Sequence, residues 1–154
     1  MKRILLAAVF ALAGCAFAKD FATEMLDATF KLYHENSTGT CFLVRRDAND
    51  KALYLVTAAH VLERTKGPTA ILVLREQTGD GSYKRRDHKI DIRRGDKPLW
   101  IRHEKEDVAV LRLAEAPPVP VVPVDMADLA DEARLTAAGL HLCSGLFVLT
   151  YPER

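Results

Sequence analysis

Between residues 28 and 113 the apolar side chains recur every second residue in short runs, and clusters of turn-forming residues break those runs apart. Side chains of an extended chain alternate between two faces, so this period predicts half-buried strands rather than helices. Six runs fit. Ala28, Phe30 and Leu32 alternate with Thr29, Lys31 and Tyr33. Residues 40–45 read Thr-Cys-Phe-Leu-Val-Arg and residues 52–57 read Ala-Leu-Tyr-Leu-Val-Thr. Residues 69–77 hold Ile71 to Leu74, residues 83–94 set Ile90 and Ile92 among charges, and residues 107–113 read Asp-Val-Ala-Val-Leu-Arg-Leu. Residues 36–39, 47–50 and 78–82 supply turns rich in Asn, Asp, Ser and Gly. A weak helix is expected over 20–26 and a short helical turn over 58–63. Many short strands separated by turns predict an all-β fold, here a six-stranded antiparallel barrel within residues 19–114.

The flanks differ. Residues 116–123 carry four prolines and read as an extended linker. Residues 125–139 then suggest a short polar helix, and residues 146–151 one more strand. Composition narrows the function. With 49% hydrophobic and 28% charged residues, a long disordered chain is excluded. Lys and Arg number 22 against 21 Asp and Glu, so no large basic surface for nucleic acid is expected. Three cysteines are too few for a disulfide-stapled miniprotein.

Met1-Lys2-Arg3 precedes an apolar run over residues 4–18, the pattern of a signal peptide spanning residues 1–18. That run falls short of the ~20 residues a membrane-spanning helix needs. Two outcomes stay open. Ala16-Phe17-Ala18 is a small-x-small site whose cleavage would release a soluble protein starting at Lys19. Leu12-Ala13-Gly14-Cys15 resembles the bacterial lipobox, which makes Cys15 a lipidation candidate. Either way the protein is expected to be exported, periplasmic or secreted, with membrane contact only through an anchor at Cys15. Export would place Cys41 and Cys143 where a disulfide is allowed, although either also reads as a small buried hydrophobe.

His60 follows the apolar run Leu55-Val56-Thr57-Ala58-Ala59, at the exit of one strand. Asp107 stands 47 residues later, at the start of another. A neutral imidazole is a useful base near neutral pH. A carboxylate that accepts from its Nδ1–H fixes the tautomer and stabilises the imidazolium that forms. In acyl transfer such a pair serves a nucleophile.

The pattern around these residues resembles the trypsin-like (chymotrypsin-fold) serine peptidases, in particular their bacterial secreted or periplasmic branch. Gly39-Thr40-Cys41-Phe42-Leu43-Val44 is similar to the family's Gly-Thr-Gly-Phe-Leu-Val strand. Thr57-Ala58-Ala59-His60-Val61-Leu62 matches its histidine motif, and Asp107-Val108-Ala109-Val110-Leu111 resembles its aspartate motif. Phe147-Val148-Leu149-Thr150-Tyr151-Pro152 resembles the Gly-Tyr-Pro strand that opens the family's second barrel. The resemblance covers about residues 28–154. It implies that residues 19–114 form the first barrel and that residues 115–154 hold a linker and the incomplete start of a second. It also implies that His60 is the general base and Asp107 its orienting partner.

There are departures. Cys41 and Thr150 stand where the family has glycine, and no Gly-[Asp/Asn]-Ser-Gly-Gly nucleophile loop occurs in these residues. Ser144, in Cys143-Ser144-Gly145, has the wrong flanks and precedes the Tyr-Pro strand. The expectation is therefore the N-terminal part of an exported serine peptidase, inactive as it stands. Completed by a second barrel, it would act on a polypeptide substrate. The alternative is an exported or lipid-anchored β-barrel that binds without catalysing. No cofactor is implied. His34, His88, His103 and His141 lack ligand spacing and the cysteines form no C-x-x-C, so no metal site is expected. Lys84-Arg85-Arg86 and Arg93-Arg94 read as a solvated strand face, and Trp100 as core.

Overall fold

A computed structural model describes residues 21–139 and 148–151 of the chain. Cys15, Cys143 and Ser144 lie outside the described residues, as do the leader over 1–18 and the start of the strand expected over 146–151. Residues 148–151 carry no strand.

The described residues begin with α1 (Phe21–Ala28), and strand among them far outweighs helix. In chain order these are β1 (Thr29–His34), β2 (Ser37–Arg45), β3 (Tyr54–Thr57), β4 (Thr69–Gln77), β5 (Tyr83–Asp91), β6 (Arg93–Arg94), β7 (Lys97–Pro98), β8 (Trp100–Arg102), β9 (Ala109–Arg112) and β10 (Val124–Asp125). The helix α2 (Ala59–Arg64) interrupts them after β3, and α3 (Glu132–Ala137) follows β10. One large sheet runs β5-β4-β1-β2-β3-β9-β8, with β10 added parallel to β2. Its other ladders are antiparallel.

The alternation seen in the sequence sets the register. Phe30 pairs with Cys41, Leu32 with Leu72, Leu43 with Leu55, and Leu55 with Leu111. All seven side chains are buried in one core, joined there by Leu62 of α2. A one-residue slip in any ladder would turn such a row out to water, which is why the register holds. Each leucine so buried contributes about 1.5–3 kcal/mol relative to exposure.

The all-β, antiparallel class agrees with the sequence, but the sheet is not a closed six-stranded barrel. Its path carries seven strands and ends at β5 on one side and β8 on the other. The chain itself spans that gap. Residues 93–98 divert into a separate ribbon of β6 and β7, turning at Gly95 with φ of 60°, and Leu99 N–H donates to Ile92 O at 3.0 Å as the chain returns. Ile90 and Ile92 share one core with Leu111 from the far end of the sheet. The short strand β8 was missed because Trp100-Ile101-Arg102 is too brief to show a period.

Other differences have local causes. The turn expected over 36–39 narrows to Glu35 and Asn36, because Ser37 already pairs with His34. The polar helix expected over 125–139 shrinks to α3, capped by the Asp131 carboxylate, which accepts from Arg134 N–H at 2.8 Å. The proline-rich stretch carries no helix or strand, yet Val119 is buried in the core and Val121 packs against it. Trp100 packs there too. Lys84, Arg85 and Arg86 are exposed, as expected, whereas Arg93 is half-buried and bonded to backbone carbonyls.

Candidate functional site

The strand β3 ends in small residues because there is no room for large ones. Ala59 is wholly buried, and Ala58, still extended, turns the chain into α2. His60 is the second residue of that helix and points to solvent. Ala58 has no side chain able to cap α2. Asp107 does that work from another part of the chain. Its carbonyl accepts from Ala59 N–H at 3.3 Å, and its Oδ1 accepts from His60 N–H at 2.9 Å. The first N–H groups of a helix have no partner within it, so the aspartate satisfies two of them.

The second carboxylate oxygen completes the arrangement. Asp107 Oδ2 lies 2.5 Å from His60 Nδ1. With the carboxylate ionised, Nδ1 carries the hydrogen and donates it, which leaves the Nε2 lone pair free to accept a proton. Asp107 is held below the usual carboxylate range, first by the side-chain bond from His60 and then by the His60 backbone N–H. The histidine and aspartate side chains are 46% and 51% exposed, so a substrate can reach the imidazole.

The loop between β8 and β9 presents Asp107. His103 N–H donates to Val108 O at 2.8 Å and closes the loop, while His103 Nδ1 accepts from Glu106 N–H at 3.0 Å. His103 thus orders the loop, a role that no spacing in the sequence announces.

The helix is seated on β2 by a close approach. A Cβ on Gly39 would stand 2.5 Å from Val61 Cγ2, so only glycine fits under α2. Val61 O accepts the buried Ser37 hydroxyl at 3.0 Å and the Thr65 hydroxyl at 2.8 Å. Thr57 Oγ1, just before α2, donates to Thr40 O at 2.8 Å. The Gly-Thr pair of β2 therefore positions the histidine strand. Cys41, next in line, is buried with a free thiol that donates to Phe30 O at 3.6 Å. Burial pushes that thiol well up, and without thiolate it has no nucleophilic role.

An apolar row lies on the outer face of the sheet. Phe42, Val56, Val110 and Ile101 pair across β2, β3, β9 and β8. The first three are half-buried, and Ile101 is 77% exposed. Ile101, Val108 and Val110 line a groove of ≈ 540 Å³. Among the described residues no three His, Cys, Asp or Glu side chains gather as a metal site would need.

The sequence profile of the trypsin-like peptidase domain matches residues 39–148, from the glycine beneath α2 to beyond the aspartate loop. Comparison with curated proteins and with solved structures gives no match. The profile covers well over half of the chain, on a β-rich scaffold, and the chain belongs to the trypsin-like peptidase domain family.

Proposed function

We propose that the chain supplies the base half of a serine peptidase, with His60 as general base and Asp107 as its orienting partner. The observation that carries this reading is the 2.5 Å contact from His60 Nδ1 to Asp107 Oδ2, made beside an exposed imidazole. In peptide-bond hydrolysis through an acyl-enzyme, Nε2 takes the proton of an attacking hydroxyl and later gives it to the leaving amine. The nucleophile and its oxyanion-stabilising amides then come from a unit outside residues 1–154. On this reading residues 19–114 correspond to the family's first unit, here an open sheet, and residues 115–154 lead into the second. Support comes from the apolar row on the outer face of the sheet, a surface suited to a docking partner. Tyr151 lies over the same outer face, where its N–H donates to Thr40 Oγ1 at 2.7 Å and its hydroxyl accepts from Arg75 at 2.5 Å.

Residues 1–154 alone are therefore expected to give no labelling with a fluorophosphonate, which phosphonylates an activated serine with loss of fluoride. Labelling that disappears in Ser144→Ala would overturn the assignment. We also propose export under the signal at residues 1–18, supported by the charged-then-apolar pattern. Mass spectrometry of the mature N-terminus separates cleavage before Lys19 from lipid on Cys15, and an unprocessed Met1 in the exporting host would refute both.

A further inference from the structure

The helix α2 has six residues, a rise of ~9 Å. A helix that short is not stable by itself, so packing must set its orientation. At its N-terminal end Asp107 holds two amides, as described above. Its C-terminal end is gripped by Arg93. The Arg93 guanidinium donates to Leu62 O at 2.8 Å, Thr65 O at 2.7 Å and Gly67 O at 3.0 Å. The backbone reinforces that grip, since Ile92 N–H and Arg93 N–H both donate to Pro68 O, at 2.8 and 3.0 Å. The last carbonyls of a helix lack intrahelical partners, and a planar guanidinium can satisfy several of them in one fixed geometry. A second tie runs from Arg102 of β8 to the Glu63 carboxylate of α2.

These contacts give Arg93 a use that its neighbours Arg94 and Lys97 lack. Resting on the proposed role of the histidine–aspartate pair, we infer that Arg93 is a positioning residue for His60. By tying the end of α2 to the bend after β5, it stops the helix from rotating and keeps Nδ1 in line with the Asp107 carboxylate. Asp107, bonded to the imidazole, and Arg102, whose charge acts on that carboxylate, are left unchanged by its removal. The effect therefore passes through the helix rather than through charge beside the ring.

The test is proton NMR of the full chain. A short bond between an imidazole N–H and a carboxylate gives a low-field proton resonance, assigned to His60 by its loss in His60→Gln. Arg93→Ala is expected to lose that resonance while keeping a cooperative thermal melt. Arg94→Ala is expected to keep both. Arg93→Lys should fail to restore the resonance, because one ammonium cannot reproduce the fork across three carbonyls. An Arg93→Ala chain that stays folded and keeps the resonance would overturn the inference. So would loss of cooperative melting in both the Ala and Lys variants, which would make Arg93 a folding determinant instead. If the parent chain lacks the resonance, the pairing of His60 with Asp107 itself fails, and this inference falls with it.

Discussion

Asp107 serves two purposes with one carboxylate. Oδ1 caps α2, and Oδ2 orients the imidazole. Asparagine keeps an oxygen for the cap but turns a donor toward Nδ1, which drives the ring to the other tautomer. Asp107→Asn is thus expected to remove the low-field His60 resonance with little change in melting temperature. In a triad completed by a serine, the same change costs about 10⁴-fold in kcat. Gly39 makes a different kind of contribution. A methyl group there must displace Val61, and such overpacking typically costs about 1–3 kcal/mol. Urea unfolding of Gly39→Ala should show that loss, and Val61→Ala in the same background should recover part of it. Strict additivity of the two changes would argue against the close contact.

Ion pairs and capped turns hold neighbouring elements together. Arg45 of β2 forks onto Asp125 of β10, which holds the Asp125 carboxyl below its usual range and secures the only parallel ladder among the described residues. In the turn between β4 and β5, bonds from Thr78 and Ser82 push Asp80 down to about 2. With Asp107, three carboxyls are therefore easier to ionise in the fold than in the unfolded chain. A carboxyl shifted this way stabilises the fold fully above its unfolded pKa, about 3.9, and that contribution is lost as pH falls through the folded value. The melting temperature is expected to be flat near neutrality and to fall between about pH 4 and about pH 2. Asp125→Asn should fall less over that range. A profile equally steep in the variant would show that the fork to Arg45 is not among the causes.

At the scale of the molecule, the inner face of the sheet is full and part of its outer face is not. Leu32, Leu43, Leu55, Leu72 and Leu111 are at most 1% exposed, whereas Ile101 is 77% exposed and Val108 39%. Exposed apolar surface of this kind is what the proposed docking of a second unit would cover. Replacing Ile101 with lysine should leave the melting temperature within about 2–4 °C of the parent, as surface substitutions do. A large drop in stability would mean that Ile101 belongs to the core of this unit instead.

The class of fold and the two residues of the candidate site were legible in the sequence, because both depend on local pattern. A period of two needs no partner strand to be read, and His60 and Asp107 announce themselves by their flanking apolar runs. What holds them was not legible. Gly39 sits in a turn-like cluster, and only the packing of Val61 above it shows why it must lack a side chain. Arg93 belongs to a run of charges, and only the path of the chain after β5 brings it to the end of α2. The expected closed barrel failed for the same reason, since residues 93–98 leave the sheet to pair with each other, which depends on how the chain packs after β5 rather than on any residue's preference. Alternating hydrophobicity determined strands, and the histidine and aspartate motifs determined which side chains to watch. Their 2.5 Å contact was decided by tertiary structure, because it joins residues 47 positions apart through a helix too short to orient itself.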